Sequence, residues 1–171
     1  MPLHKKKILM LGAFAVGKTS LVSRFVLSEF SEKYHSSMGI KVDKKLVKLG
    51  ENDVDLMLWD LAGEDELNKV NTSYFRGASG YLLVIDGTRH NTFDTALMLR
   101  DRVEKDAGKI PYLVVINKID LAGSDKWQLT PADDATLAAQ KLTVFKTSAK
   151  TGQGVEDAFL TLARQLVPPT A

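Results

Sequence analysis

A glycine-bounded segment near the N-terminus constrains the fold of this chain more than any other stretch of the sequence. It runs from Gly12 to Thr19 with the spacing G-x-x-x-x-G-K-T, follows an apolar run and precedes an amphipathic stretch. That order predicts a strand, a loop and the start of a helix, which together form the phosphate-binding arrangement called a P-loop. The N–H groups of such a loop, and the unpaired N–H groups at the helix start, can converge on phosphate oxygens.

Two side chains of this segment have predicted roles in the phosphate site. We expect Lys18 to reach the β- and γ-phosphates and the Thr19 hydroxyl to bind Mg²⁺. A glycine turn beside an exposed lysine is the alternative, but the flanking strand and helix patterns favour the P-loop. The predicted phosphate-binding residues are Ala15, Val16, Gly17, Lys18, Thr19 and Ser20.

The remainder of the chain alternates apolar strands with amphipathic helices. Strands are predicted over residues 5–11, 41–49, 54–60, 80–86, 110–116 and 142–146. Helices are predicted over residues 17–27, 91–106, 131–141 and 154–166. The second and third strands form a predicted hairpin with a polar turn over residues 50–53, and the lysine-rich second strand is typical of a sheet edge. The pattern predicts an α/β fold with a six-stranded, mostly parallel sheet, one antiparallel edge strand and helices on both faces.

Size and composition restrict the class of protein. At 171 residues the chain is predicted to be one domain over residues 1–171, and 44% hydrophobic residues are ordinary for a globular protein. The chain has no cysteine, which excludes disulfides and thiolate metal sites and fits a reducing, cytoplasmic location. A net charge of +2 does not favour a nucleic-acid partner. No apolar run approaches the roughly 20 residues of a membrane span, and the C-terminus has no cysteine for prenylation, so we expect no lipid anchor.

Polar residues follow the predicted parallel strands, at the ends where such sheets bind ligands. Asp60 closes the third strand and is followed by Leu61, Ala62 and Gly63. We expect the Asp60 carboxylate to hold Mg²⁺ through water, because the ion retains several waters in proteins. The Gly63 N–H can approach a γ-phosphate oxygen, since no side chain intervenes. An ordinary turn is the alternative, which the preceding P-loop disfavours.

Two further loops predict the recognition of a guanine base. Asn117 and Lys118 follow the fifth strand, and Asp120, two positions after Lys118, can accept hydrogen bonds from the guanine N1–H and amine. Adenine presents a different edge and would leave that carboxylate unpaired. The aliphatic part of Lys118 can cover one face of the base. Either loop alone is compatible with a plain polar strand exit. In the second loop the Ala149 N–H is expected to meet the guanine O6 and Ser148 to brace the loop, so its predicted base-binding residues are Ser148, Ala149 and Lys150.

Four motifs resemble, in their order along the chain, those of the Ras superfamily of small GTPases, and the resemblance covers essentially the whole chain. They are the P-loop and the runs Asp60 to Gly63, Asn117 to Asp120 and Thr147 to Lys150. Within that superfamily the chain is most similar to Rab-like members, in the runs Trp59 to Gly63, Tyr74 to Gly80, Asp86 to Thr88 and Lys33 to Ile40. The resemblance implies a P-loop NTPase G domain that binds GTP or GDP with Mg²⁺, hydrolyses GTP and acts as a molecular switch.

The resemblance also implies roles for residues in two loops. Ser37 stands where the family has a threonine that binds Mg²⁺ and senses the γ-phosphate, and Phe30 matches an aromatic that packs across the guanine. Anchoring of the loop by Phe30 is the alternative. Two segments would be nucleotide-dependent switches that contact effector, exchange-factor or activating proteins. They extend from Ser28 to Ile40 and from Leu61 to Tyr74.

Two departures from the family pattern predict slow hydrolysis of GTP. Glu64 occupies the position of the glutamine that orients the attacking water. A carboxylate accepts a hydrogen bond from water but cannot donate one to the phosphoryl oxygens, and it places negative charge near negative charge. Phe14 replaces a small P-loop residue, where its ring can crowd an arginine supplied by an activating protein. The predicted catalytic residues are Lys18, Gly63 and Glu64.

Other interpretations stay open at this point. The chain can be a nucleotide-dependent protein-binding module with negligible hydrolysis, or the G domain of a larger protein. A P-loop ATPase or kinase fits less well, because Asp120 favours guanine. Arg76 and Arg89 are candidate internal substitutes for an activating arginine, although a surface or ion-pair role suits both better.

Overall fold

The structure of the chain, a computed structural model, describes residues 3–27, 41–61 and 72–167. Six strands lie in one sheet: β1 (Leu3–Gly12), β2 (Lys41–Leu49), β3 (Asn52–Asp60), β4 (Gly80–Asp86), β5 (Tyr112–Asn117) and β6 (Val144–Lys146). The α-helices within these ranges are α1 (Lys18–Leu27), α2 (Asn91–Ala107), α3 (Pro131–Ala139) and α4 (Val155–Gln165). Short 3₁₀ helices cover Thr72–Phe75 and Ile119–Leu121.

The order of the strands in the sheet is β2-β3-β1-β4-β5-β6. β2 pairs antiparallel with β3, whereas the other neighbouring strands are parallel, which confirms the predicted α/β fold with one antiparallel edge strand. From β1 the order proceeds to β3 on one side and to β4 on the other. The carboxyl end of β1 is therefore a switch point, where open α/β sheets bind their ligands.

The core lies on both faces of the sheet, because side chains alternate along each strand. In β1, Ile8 and Met10 belong to the cluster that includes residues of α1 and α4, while Leu9 and Leu11 belong to the cluster that includes residues of α2 and α3. The whole of β4 is buried, as expected of a central parallel strand. Helices therefore cover both faces, as the sequence predicts. None of the described helices has the length and apolar character needed to cross a membrane.

Several element boundaries differ from the predicted ones for local reasons. β5 begins at Tyr112 rather than at residue 110, because Pro111 has no N–H to donate to the sheet. The hairpin turn contains only residues 50 and 51, since β3 already begins at Asn52. α3 stops short of its predicted end at residue 141, because Lys141 has a φ of 58°, in the left-handed region.

Candidate nucleotide-binding site

The P-loop lies between β1 and α1, and a lysine side chain fills it. Lys18 is the first residue of α1 and is only 5% exposed. Its Nζ donates hydrogen bonds to the carbonyl oxygens of Gly12, at 2.9 Å, and of Ala13, at 3.2 Å. Ser20, half-buried, lies in the first turn of the same helix. The ammonium charge is thus enclosed by the loop in which the sequence predicts phosphate.

The backbone of the P-loop adopts conformations that most residues avoid. Gly17 has a φ of 107°, and a Cβ at this position would lie 2.3 Å from Asn117 Nδ2. Glycine is therefore required both by the conformation and by the space. Ala15 has a φ of 62°, in the left-handed region, which costs a non-glycine residue roughly 1–2 kcal/mol. Surrounding contacts must hold such a strained residue in place, and strain of this kind is common at ligand sites.

Two of the predicted magnesium residues meet beside the P-loop. Asp60, at the end of β3, is 1% exposed, and its Oδ2 accepts a hydrogen bond from the Thr19 hydroxyl. The other oxygen, Oδ1, is buried and has no hydrogen-bond partner among the described residues. Burial raises the pKa of Asp60, against the opposing effects of the Thr19 hydrogen bond and the Lys18 charge. A buried carboxylate oxygen without a partner, next to a hydroxyl, fits a hard cation such as Mg²⁺, which prefers oxygen ligands.

Asn117, the last residue of β5, joins the P-loop to residues 147–150, the second of the two predicted base-binding loops (the second base loop below). It is 2% exposed, and its Nδ2 donates a hydrogen bond to the Val16 carbonyl at 3.1 Å. Its Oδ1 accepts hydrogen bonds from the Thr147 hydroxyl, at 3.1 Å, and from the Ala149 N–H, at 3.2 Å. One buried amide therefore connects three segments that are distant in the sequence and holds them at the same edge of the sheet.

The other predicted base-binding residues surround this junction. Asp120 is exposed, and its Oδ1 accepts a hydrogen bond from Ser148 Oγ at 2.8 Å. Lys118 has a φ of 68°, and its Nζ lies 2.7 Å from Asp86 Oδ2. Lys150 is exposed at the end of the second loop. The structure thus brings Asp120 and Ser148 together and directs Lys118 to a carboxylate that the sequence did not assign to the site.

That carboxylate, Asp86 at the end of β4, is 0% exposed. Its Oδ1 accepts hydrogen bonds from the Thr88 N–H, at 2.8 Å, and hydroxyl, at 2.6 Å. Its Oδ2 accepts hydrogen bonds from Lys118 Nζ and, at 3.0 Å, from Arg89 Nε. Burial alone would raise the pKa of Asp86, but the hydrogen bonds from Lys118 and Thr88 outweigh it and hold the pKa below its ordinary value. The sequence contains a signal for Asp86, because a polar residue closes an apolar strand here as it does in β3 and β5.

Arg24, in α1, braces the second base loop. Its Nε donates a hydrogen bond to the Ala149 carbonyl at 2.9 Å, and its Nη2 donates one to the Lys150 carbonyl. Arg24 and Ala149 are 125 positions apart, and no local pattern indicates their contact. The helix that begins at the P-loop therefore also supports the loop at the far end of the site.

Four predicted site residues lie outside the part of the chain that the structure describes: Phe30, Ser37, Gly63 and Glu64. Their metal, base and catalytic roles stay predictions. Of the two predicted partner-binding segments, residues 28–40 lie outside the described ranges, and only residues 61 and 72–74 of the other lie within them. Tyr74 is the last residue of this second segment, and the centroid of its ring lies 6.4 Å from that of Trp59.

The sequence matches the model of one protein family, the Ras family, over residues 7–168. This chain belongs to the Ras family. Among its relatives, Ras-related protein Rab-1 of Theileria parva is 35% identical over 94% of this chain and 73% of its own length. Ras-related protein Rab-13 of Rattus norvegicus is 32% identical over 98% of this chain and 82% of its own length. Ras-related protein Rab-8B of Homo sapiens is 33% identical over 94% of this chain and 78% of its own length.

These matches confirm the predicted membership of a Rab-like branch of the small GTPases. In general terms, this Ras-family protein is a GTPase switch. Members of the family bind GTP or GDP with Mg²⁺ and work with regulator or effector proteins.

Proposed function

We propose that this Ras-family protein is a guanine-nucleotide switch that hydrolyses GTP to GDP slowly. The observation that carries the proposal is the junction at Asn117, which holds the P-loop and the 147–149 loop in one hydrogen-bonded unit. A ligand that spans this unit contacts a phosphate-binding loop at one end and the carboxylate of Asp120 at the other. A guanosine di- or triphosphate has this combination, with phosphates at one end and a base edge with two donors at the other.

In this proposal, the predicted site residues divide the work of binding between the two ends. At the phosphate end, backbone N–H groups of residues 15–20 and the Lys18 ammonium bind phosphate oxygens. The Thr19 hydroxyl and Asp60, with Ser37, would hold Mg²⁺, and the ion would supply neutralisation of the phosphate charge. At the base end, Asp120 recognises the guanine edge. Lys118 and Phe30 cover the faces of the base, and residues 148–150 complete the pocket.

Slow hydrolysis follows from the residue at position 64. The reaction needs a water in line with the γ-phosphate, and catalysis comes mainly from positioning and charge stabilisation. Lys18 and the Gly63 N–H stabilise the charge that develops on the phosphoryl oxygens. Glu64 accepts a hydrogen bond from the water but has no N–H to donate. Glu64 also brings negative charge toward the phosphates, and two like unit charges about 4 Å apart repel by about 4 kcal/mol at an effective dielectric of about 20, which opposes the placement of this side chain beside the γ-phosphate.

Phe14 is a second residue that we expect to limit catalysis, by hindering an activating protein. It lies in the P-loop and is 38% exposed. An arginine that an activating protein inserts toward the γ-phosphate must pass this ring. We therefore expect a conventional activating protein to accelerate the reaction poorly, and Phe14→Gly to restore part of the acceleration.

Single-turnover hydrolysis of GTP tests the slow rate. The wild type should convert bound GTP to GDP over hours, and Glu64→Gln should react about tenfold faster or more, because a positioned amide can both accept and donate. Glu51→Gln, in the exposed hairpin turn, is the charge-matched control and should react at the wild-type rate. Equal rates for Glu64→Gln and wild type would remove Glu64 as the cause of slow hydrolysis.

The nucleotide released when the purified protein is denatured tests the ligand. GDP or GTP is expected, and an adenine nucleotide would overturn the proposal. Asp120→Asn should shift the preference from guanine toward xanthine, because the base edge then meets an amide instead of a carboxylate. GTP that stays intact over days in every variant would favour the alternative of a binding module over a slow GTPase.

The partner surface is also part of the proposal. Residues 1–171 would act as one G domain, and residues 28–40 and 61–74 would bind effector, exchange-factor or activating proteins in a nucleotide-dependent way. Affinity capture from a lysate with protein loaded with GDP or with a non-hydrolysable GTP analogue tests this: partners should differ between the two forms. The cytoplasmic location stays a prediction from composition.

A further inference from the structure

Arg89 connects two parts of the proposed nucleotide site. It lies in the connection between β4 and α2, and its side chain is 37% exposed. Its Nε donates a hydrogen bond to Asp86 Oδ2 at 3.0 Å, and its Nη2 donates one to the Phe14 carbonyl at 2.5 Å. Because the guanidinium is a planar fork, these two contacts together fix its orientation. Arg89 thus links the carboxylate at the end of β4 to the P-loop, 75 positions earlier in the sequence.

Asp86 is a rigid anchor for this side chain. The carboxylate is fully buried and also accepts hydrogen bonds from Thr88 and Lys118. It cannot rotate toward or away from Arg89 without breaking these contacts, each of which is costly to lose in a buried site. The position of Arg89 against the P-loop is therefore determined by groups at the end of β4 and the start of the base loop.

The carbonyl that Arg89 holds belongs to the same peptide group as the N–H of Ala15. In a trans peptide the C=O and N–H point in opposite directions, and the described residues include no cis peptide. A Phe14 carbonyl held by Arg89 therefore turns the Ala15 N–H away from Arg89. Ala15 has a φ of 62°, a conformation that alanine avoids unless contacts such as this one restrain it.

We infer that Arg89 is a positioning residue for the phosphate site: by holding the Phe14 carbonyl it orients the Ala15 N–H toward a β-phosphate oxygen of the nucleotide. The inference rests on the proposed nucleotide site and deepens it. Lys118, which covers the base, binds the same oxygen of Asp86 as Arg89 does. Loss of Arg89 leaves that base-side pair in place, so it weakens the contacts with the β-phosphate and spares those with the guanine.

Competition against a fluorescent GDP analogue tests this inference by measuring the affinities for GDP and for GMP, which has no β-phosphate. Arg89→Met should lower the affinity for GDP about tenfold, the effect of one lost charged hydrogen bond, and change the affinity for GMP by less than about twofold. Arg89→Lys should show the same loss, because one ammonium does not reproduce the guanidinium fork that bridges carboxylate and carbonyl. Arg102→Met is the matched control, since the Arg102 side chain is 38% exposed and pairs with Asp106 at 3.6 Å.

Hydrogen exchange of the Ala15 amide gives a direct second measurement. In the GDP complex this amide should be protected in the wild type and lose protection in Arg89→Met. Equal losses of GDP and GMP affinity, or full recovery in Arg89→Lys, would overturn the inference, because the first indicates a general structural role and the second a role of charge alone. A wild type that binds neither nucleotide would instead overturn the proposed function, so the two failures are distinguishable.

Discussion

The two ends of the proposed nucleotide site differ in how completely their buried polar groups are paired. At the base end, Asn117, Thr147 and Ser148 are 2%, 0% and 0% exposed, and each of them forms side-chain hydrogen bonds. At the phosphate end, Asp60 is 1% exposed, yet its Oδ1 has no partner within the described ranges. Backbone strain does not distinguish the two ends, since Ala15 in the P-loop and Lys118 in the first base-binding loop both lie in the left-handed region.

This difference indicates which end gains more from the ligand. A buried polar group without a hydrogen-bond partner lowers the stability of the folded protein. A bound nucleotide with Mg²⁺ would offset this cost at the phosphate end, whereas the base end already has its internal hydrogen bonds. We therefore expect the base end to support the fold without ligand, and the phosphate end to account for most ligand-dependent stability.

The largest effect should come from Gly17→Ala, where the two ends touch. The new Cβ would lie 2.3 Å from Asn117 Nδ2, at a φ of 107°. The methyl group must displace the Asn117 amide from its hydrogen bonds and also strains the backbone. The free energy of unfolding of the nucleotide-free protein should therefore fall by about 4 kcal/mol, as measured by urea unfolding.

Gly77→Ala is the matched control for that substitution. Gly77 has a φ of 76°, and nothing lies within 4 Å of an added Cβ, so this variant reports backbone strain alone. If Gly17→Ala lowered the free energy of unfolding no more than Gly77→Ala, the contact between Gly17 and Asn117 would not contribute to stability. The base end would then not support the P-loop through this contact.

Asn117→Ala should have the next largest effect on the nucleotide-free protein. It leaves the Val16 carbonyl, the Thr147 hydroxyl and the Ala149 N–H without their buried partner. The expected loss in the free energy of unfolding is about 3 kcal/mol, because unpaired buried groups cost more than the hydrogen bonds themselves contribute. Combined with Gly17→Ala, the loss should be smaller than the sum of the two, since the clashing amide is then absent.

The exposed base-end residue Asp120 provides the contrast for this measurement. Asp120→Ala removes one hydrogen bond, with Ser148, and should lower the free energy of unfolding by less than about 1 kcal/mol, because Asp120 is exposed and water can replace its carboxylate as the acceptor. Equal losses for Asn117→Ala and Asp120→Ala would contradict the role of the base end as a support of the ligand-free fold.

The fold is most predictable where strands are buried on both faces. β4 covers the predicted residues 80–86, because a doubly buried strand needs a continuous apolar run and that run has clear ends. Boundaries that depend on the backbone of one residue are less predictable. Pro111 delays the start of β5 and the left-handed Lys141 ends α3 early, and neither effect appears in hydrophobic periodicity.

The residues of the candidate site likewise divide into those that the sequence identifies and those that it does not. Asp60 and Asn117 can be identified from the sequence because each is a polar residue that closes an apolar strand. Asp86 has the same signal, but its role as an anchor requires knowledge of the groups that surround it. Arg24 and Arg89 contact loops 125 and 75 positions away, and such contacts depend on the strand order, which no local pattern contains.

At the phosphate end, Asp60→Asn should change the free energy of unfolding less than the preceding substitutions do, and should raise it rather than lower it. A neutral amide costs less to bury than a carboxylate, so the nucleotide-free variant should match the wild type or exceed its stability by about 1 kcal/mol. Addition of GDP and Mg²⁺ should raise the melting temperature of the wild type and raise that of the variant much less. Differential scanning fluorimetry with and without ligand, and after removal of Mg²⁺ with a chelator, measures both quantities.

Asp53→Asn is the matched control for Asp60→Asn, because Asp53 lies in the same strand and its Oδ1 is likewise buried without a partner among the described residues. It lies at the opposite end of β3 from the P-loop, so the response to GDP and Mg²⁺ should equal that of the wild type. A nucleotide-free Asp60→Asn that is less stable than wild type would show that Asp60 supports the fold without ligand, against the comparison.

The smallest effect is expected for a surface pair that belongs to neither end of the site. It serves as a reference, because its effect on stability should not depend on bound nucleotide. His90 Nε2 lies 2.9 Å from Asp133 Oδ1, and this hydrogen bond raises the pKa of His90 above its ordinary value of 6.5. A raised histidine pKa contributes stability that is fully present below the unfolded-state pKa and is lost as the pH rises through the folded-state pKa. His90→Asn should therefore cost more stability at about pH 5.5 than at about pH 8.5, by less than about 1 kcal/mol because solvent screens the exposed imidazole. Urea unfolding at both pH values should give the same difference for the nucleotide-free and GDP-bound forms, and a difference confined to the GDP-bound form would place the pair within the nucleotide site.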